Sequence, residues 1–293
     1  MLAVLIGLAG ALIFGSADFI GGIASKRISS VRVTAVGGLS GLAVLLLALP
    51  AIGGTWSSKA VLLGAISGVS GSLAIVLLYA CLAIGPMSIL SPVTAVVSAL
   101  VPALAGVLRG ERLNGIAYVA LALALVAVVL VGFVPEKGAV RPSLKALGMA
   151  VASGALIGFF LIVIDLTPAD SGLVPLVVNR TVNASIMFSV VLIAGLLSRS
   201  RPRERSAGGR LPAAGWRPGL WLAIAGGAVD ATANALLLLG LRIGDLTVQS
   251  VLTALYPAGT IILAAVVLKE RIAPVQIVGL VLALVAAAML AIA

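Results

Sequence analysis

Histidine is missing from this 293-residue chain, and cysteine occurs once, at Cys81. The first absence removes imidazole metal ligands, imidazole proton relays and every nucleophilic triad that depends on a histidine base. The second removes a disulfide framework and a thiolate metal cluster. No phosphate-binding glycine–lysine loop is present either, so any ATP dependence would need another subunit. Charged residues are scarce at 10% and aromatic residues at 4%. These gaps point away from an enzyme and imply no cofactor and no metal.

What is abundant is apolar. A chain that is 62% hydrophobic cannot hide that much surface in one water-soluble core, because surface falls too slowly with size. Ten runs fit membrane spans, at 3–24, 31–49, 60–83, 86–108, 115–133, 145–165, 173–197, 218–240, 246–268 and 274–292. Each is long enough, or nearly so, to cross about 30 Å of hydrocarbon as a helix. Backbone groups in lipid must bond internally and the period-two pattern of a barrel is absent, so an all-α polytopic membrane protein is expected. The first run follows Met1 without a cleavage-like polar end and reads as a span, not as a separate secretory signal. The net charge of +10 lies between the apolar runs, which is the pattern of a topology signal and not of a nucleic-acid groove.

The stretch Ala60–Phe133 occurs twice. Laid over Gly219–Ile292 without a gap, it matches at 24 of 74 positions, including Gly68/Gly227, Gly85/Gly244, Ser91/Ser250, Thr94/Thr253, Glu111/Glu270 and Arg112/Arg271. Gly10-Ala11-Leu12-Ile13 likewise faces Gly154-Ala155-Leu156-Ile157. Two five-span units follow, 1–133 and 144–293, joined by a connector at 134–143. An odd number of spans starts the second unit from the opposite side of the membrane, so ten helices form two inverted repeats. That architecture places a site at the repeat interface near the bilayer midplane and favours a carrier. The alternatives are a membrane-embedded enzyme, such as an Asp18/Asp230 aspartyl pair, and a non-transporting structural protein.

Polar residues inside the spans are the site candidates, because an ionised group in hydrocarbon must face a partner, the bundle interior or water. Asp230 lies halfway along its span, with Asn234 one turn further on the same face. Arg180, flanked by Asn179 and Asn183, is the expected opposite charge, either for Asp230 or for an anionic substrate group. Asp18 sits among small residues in Phe14–Phe19 and can enter the same cavity. Thr94, Thr253, Tyr256 and Tyr79 complete the set, with Tyr79 as an aromatic wall. Pro92, Pro102 and Pro257 are expected to interrupt helical bonding, and Gly68, Gly71 and Gly227 to be places where helices approach closely. Asp165 reads as a boundary residue. At the equivalent turns, Glu111-Arg112 and Glu270-Arg271 are expected to be structural, each glutamate meeting the start of the helix that follows it. Asn114 suits the cap of one of those helices and Pro274 the first position of the other.

The two five-span units, the Phe14-Gly15-Ser16-Ala17-Asp18-Phe19 opening and the Gly110-Glu111-Arg112 and Lys269-Glu270-Arg271 turns resemble the EamA-type drug/metabolite transporters over essentially Leu2–Ile292. Where such proteins often carry Trp in the opening motif, this chain has Phe14, which keeps the ring and loses the indole donor. The resemblance implies a bacterial inner-membrane secondary transporter with a central cavity, often an exporter of small metabolites, amino acids or toxic organic compounds. Its partners would be a small-molecule substrate, the bilayer and a coupling proton, in a monomer or a homodimer. Orientation has two readings. The connections after odd-numbered spans hold 14 Lys/Arg residues and those after even-numbered spans four, which places both termini outside; the resemblance points to cytoplasmic ends.

Overall fold

The computed structural model describes residues 1–25, 27–84, 87–132, 142–199, 217–269 and 272–292, and among the described residues it contains helices and no strand. The helices are α1 (Leu2–Ser25), α2 (Ser30–Ile52), α3 (Ser58–Ile84), α4 (Met87–Leu108), α5 (Gly115–Gly132), α6 (Leu144–Asp165), α7 (Val174–Arg199), α8 (Arg217–Ile243), α9 (Leu246–Thr253), α10 (Tyr256–Val267) and α11 (Pro274–Ile292). The segments α9 and α10 are the two halves of one span, so the eleven α-helices of the described residues make ten crossings. Eight spans are long and apolar enough to cross a bilayer; the others hold the shorter apolar helices Val93–Leu108 and Gly115–Val131. The protein is an all-α polytopic membrane protein.

The repeats interdigitate. The most extensive packing in the molecule joins α1 to α8, and exchanging the repeats converts that pair into α6 on α3, which is the next most extensive. The same exchange converts α1 on α9/α10 into α6 on α4, and α2 on α8 into α7 on α3, while α5 on α11 maps onto itself. Each repeat therefore buries its apolar faces mainly against the other repeat. Lipid tails are as apolar as leucine, so what holds such helices together is close fit and interhelical hydrogen bonding. Glycine provides the fit at equivalent crossings. A Cβ at Gly68 would stand 2.8 Å from the Asn179 carbonyl oxygen of α7, and one at Gly227 would run into the Gly37 backbone of α2. Gly71 is different from the expectation: no atom lies within 4 Å of where its Cβ would be, so it borders open space and not a helix contact.

The inversion is visible at one side of the membrane. Glu111, just past the end of α4, reaches the first residues of α9, while Gln249 of α9 donates through Nε2 to the Ala3 carbonyl of α1 at 2.9 Å. The fourth span thus ends where the ninth begins. The turns after these spans share a backbone solution, since Gly110 has φ 97° and its counterpart Lys269 has φ 56°. Both stop a helix in the left-handed region, where glycine is at ease and lysine is strained.

Proline acts unequally in the two repeats. The ninth span breaks at Ala254–Leu255, with Pro257 at the start of α10, whereas α4 runs unbroken through Pro92 and Pro102. The α4 prolines lack a backbone donor, yet neither ends the helix. Hydroxyls from α9 also bond carbonyls of α4. Thr247 Oγ1 donates to the Ala103 carbonyl at 3.0 Å and Ser250 Oγ to the Ala99 carbonyl at 3.3 Å.

Candidate functional site

Three charged side chains, Asp18, Arg180 and Asp230, stand within the described spans away from their ends. An Nη of Arg180 on α7 donates to an Asp230 carboxylate oxygen on α8, with the Arg180 side chain 14% and the Asp230 side chain 31% exposed. The pair forms because α2 lets both helices come near: a Cβ at Gly41 would lie 3.0 Å from the Gly227 carbonyl oxygen and 3.7 Å from Arg180 Cδ. Arg180 Nε is buried and makes no hydrogen bond. Asn234 donates back to the Asp230 carbonyl at 2.8 Å, one turn away on the same helix.

Asp18 has a different environment. It is exposed midway along α1, the helix that packs most extensively on α8. Tyr256 is half-buried where the ninth span breaks. The helix break puts it there, because Tyr256 is the first residue of α10, and α1 crosses α10 with Gly15 against the Tyr256 carbonyl and Thr260 Oγ1 bonded to the Gly15 carbonyl at 3.0 Å. Phe14, one turn before Asp18 on the same face of α1, packs against the cluster built on Leu45, Leu161, Leu176 and Leu237. Asp18 and Tyr256 thus sit where α1 packs against α8 and α10, and the Arg180–Asp230 pair lies between α7 and α8.

Other residues singled out in the sequence lie elsewhere. Asn179 Nδ2 donates to Ser67 Oγ at 2.9 Å and Asn183 Nδ2 to Ser72 Oγ at 3.0 Å, so both amides pin α7 to α3 while Arg180 points towards α8. Thr94 Oγ1 bonds the Leu90 and Ala150 carbonyls, tying α4 to α6. Thr253 is half-buried at the end of α9. The Tyr79 side chain, Glu270 and Arg271 lie outside the described residues. Arg112 is exposed, and Pro274 is the first residue of α11. Asn114 Oδ1 accepts from the Ala117 N–H at 2.8 Å, capping α5.

Glu111 corrects one expectation. It does not meet the helix that follows it. Its two carboxylate oxygens accept from the Leu246 N–H at 2.8 Å and the Thr247 N–H at 3.0 Å, and so cap α9 of the other repeat. Gly106 makes room, since a Cβ there would collide with the Glu111 carboxylate and Thr247 Oγ1. A helix N-terminus offers unpaired N–H groups and a positive dipole end, and the carboxylate satisfies both. Asp245 stands beside it, its carboxyl raised above the usual range by burial and then by the Glu111 charge.

The side of the membrane that carries the N-terminus is laced by polar ties that sequence reasoning did not pair. Arg109 Nη1 meets Asp165 Oδ2 at 2.7 Å, joining the ends of α4 and α6. At the end of α8, Arg242 donates to both the Thr167 carbonyl and Thr167 Oγ1 at 2.6 Å. Thr55 Oγ1 bonds Asp170 Oδ2 at 2.5 Å, and the Leu173 N–H reaches the Gly53 carbonyl at 3.2 Å. The clue was present in the sequence: Arg109, Asp165 and Arg242 all fall at span ends on one side. Gln249, mid-sequence in an apolar run, was missed altogether; it is buried, and its Oε1 makes no hydrogen bond.

Comparison with known proteins agrees with this architecture. A solved crystal structure of another protein superposes with a TM-score of 0.71 at 16% sequence identity, over 100% of this chain and 96% of that one, which speaks for the fold. No curated protein matches the chain. Two segments, residues 1–133 and 144–292, each match the EamA-like transporter family. Between them they cover most of the sequence, and the chain, an integral protein of the inner membrane, belongs to the EamA-like transporter family.

Proposed function

We propose that the protein is a secondary transporter that moves a small metabolite, amino acid or amphipathic compound across the inner membrane by alternating access, in the direction of export. The observation that carries the reading is Asp18, an exposed carboxylate midway along a span that packs mainly on helices of the other repeat. Such a group is costly in a purely structural bundle and useful in a substrate or proton path. The interdigitated packing supports the mechanism, because two repeats that bury their faces on each other can rock about glycine contacts such as Gly37–Gly227.

The ties on the N-terminal side act as a closed gate in this reading. They are ion pairs and hydrogen bonds at helix ends, which water can replace when they part. The distribution of Lys and Arg makes that side the external one, so the gate would open for release. Movement of protons through Asp18 and Asp230 would couple export to the proton gradient.

The test is initial flux in proteoliposomes over a panel of amino acids and amphipathic compounds, with and without an imposed pH gradient, normalised to inserted protein. Saturable flux that responds to the gradient supports the proposal, and its absence for every compound removes it. A cysteine placed at Arg203, with Cys81 replaced by serine, reports orientation in intact cells. Ready labelling by an impermeant reagent would overturn the external placement of the termini.

A further inference from the structure

We infer that α9 is the moving part of the gate on the N-terminal side, a half-helix hinged at Ala254–Leu255 and held shut by Glu111 of the other repeat. This deepens the transporter reading and rests on it. The two halves of the ninth span are anchored differently. Backbone contacts lock α10 to α1. A Cβ at Gly259 would lie 2.7 Å from the Leu12 carbonyl oxygen, and one at Gly15 would run into the Tyr256 carbonyl oxygen. The Thr260 hydroxyl adds its bond to the Gly15 carbonyl at 3.0 Å. Side chains hold α9 instead. The nearest α9 atoms to a Cβ at Gly7, Gly106 or Gly240 belong to the side chains of Gln249, Leu252 or Thr247. Between the halves the helical ladder is interrupted. Ala254 and Leu255 are turn residues outside both helices, and Pro257 has no N–H to offer. The counterpart α4 is continuous, so the joint belongs to the second repeat alone.

Glu111 is the latch for reasons of geometry. It makes two bonds to the first turn of α9, to the Leu246 N–H at 2.8 Å and the Thr247 N–H at 3.0 Å. The local residue at the N-cap, Asp245, makes no side-chain bond to that turn. The start of α9 therefore depends on the other repeat for its acceptors. The remaining ties run from Thr247 to Ala103, from Ser250 to Ala99 and from Gln249 to Ala3. Thr247, Gln249 and Ser250 are buried, whereas Glu111 is half-buried, so water replaces the Glu111 bonds first. Opening also favours Gln249, whose Oε1 is buried without a partner while α9 is closed and meets water once it swings away.

The experiment reads access to the gate. Full-length protein carrying Cys81→Ser receives a single cysteine by Ser250→Cys, at a site bonded to α4, or by Ser67→Cys, at a site bonded to α7. Vesicles of both orientations are treated with an impermeant maleimide, and Trp56→Cys marks the N-terminal side. Glu111→Gln keeps the shape of the latch and removes its charge. It is expected to speed labelling at position 250 from that side at least tenfold and to leave labelling at position 67 unchanged. Unchanged labelling at 250, or acceleration at both positions, would overturn the latch. Should Glu111→Gln fail to fold, hydrogen exchange of the wild-type protein in nanodiscs decides. The amides of Ser250–Thr253 should exchange at least tenfold faster than those of Thr260–Leu263, and equal protection of the two halves would overturn the hinge. Flux over the compound panel separates the two readings. Gradient-driven flux with unaccelerated labelling at 250 keeps the carrier and sinks the latch. Accelerated labelling with no flux of any compound keeps the hinged α9 and sinks the carrier.

Discussion

Arg180 on α7 donates to Asp230 on α8, and both residues belong to the second repeat. Asp230 has Gly71 as its counterpart in the first repeat, and Gly71 borders open space. The symmetric frame thus carries an asymmetric pair of positions, a charged side chain in one repeat and a glycine in the other.

Breaking that pair is expected to cost folded protein before it costs chemistry. Asp230→Asn would leave the guanidinium, whose Nε already lacks a partner, without its counter-charge. The expected loss is on the order of 2 kcal/mol once the 31% exposure of the Asp230 side chain is allowed for. The double variant Asp230→Asn/Arg180→Gln should recover more folded yield than transport. Yield by size-exclusion chromatography and gradient-driven flux per inserted protein are the two readouts. Unchanged flux in a folded Asp230→Asn protein would remove Asp230 from the proton path.

The two glycines should respond oppositely to added bulk. Gly227→Leu drives a side chain into the Gly37 backbone and Ser40 Oγ, so folded yield should fall severely or one access state be trapped. Gly71→Ala adds a methyl where nothing lies within 4 Å, and near wild-type yield is expected. Two-sided cysteine accessibility, measured alongside yield, shows whether the leucine variant is trapped or simply unfolded.

Glu111 and Asp245 should have opposite effects on stability. Glu111→Ala strips two acceptors from the start of α9 and should cost about 1–2 kcal/mol. Asp245 is held above the usual carboxylate range by burial and by Glu111, so the folded chain keeps its proton where the unfolded chain has released it. Its contribution is therefore most favourable below the unfolded pKa, about 4, and is lost as pH rises from there through the folded pKa. Asp245→Asn should raise the thermal midpoint at neutral pH and flatten its decline from acid to neutral. A midpoint that falls at neutral pH would show that Asp245 is a favourable cap instead.

Lys269 offers a stabilising change. Its φ of 56° places an exposed lysine in the left-handed region, where Gly110 stands in the first repeat. Lys269→Gly should gain up to about 1 kcal/mol by removing the Cβ clash, offset in part by the freedom that glycine gains in the unfolded chain. Thermal unfolding in detergent, compared with Lys269→Ala, checks the mechanism, because alanine keeps the clash and should not gain.

The sequence alone determined the crossings, since a run of apolar residues must satisfy its backbone within itself in lipid. The gapless duplication with five spans per unit made the inversion a matter of parity. It also marked Asp18, Arg180 and Asp230, because charge inside a span is conspicuous against 62% hydrophobic residues. Tertiary structure decided which neighbours those residues meet. Helical periodicity gives the face of a side chain but not the helix opposite, so Asn179 and Asn183 went to Ser67 and Ser72 while Arg180, between them in sequence, went to Asp230. Glu111 was misjudged for the same reason. Local sequence offered it the nearest helix start, and the interdigitated packing presented the start of α9, with Gly106 supplying the clearance. The close crossing of α1 at Gly15 over the start of α10 was likewise not legible, because sequence spacing does not say which helix passes a given turn.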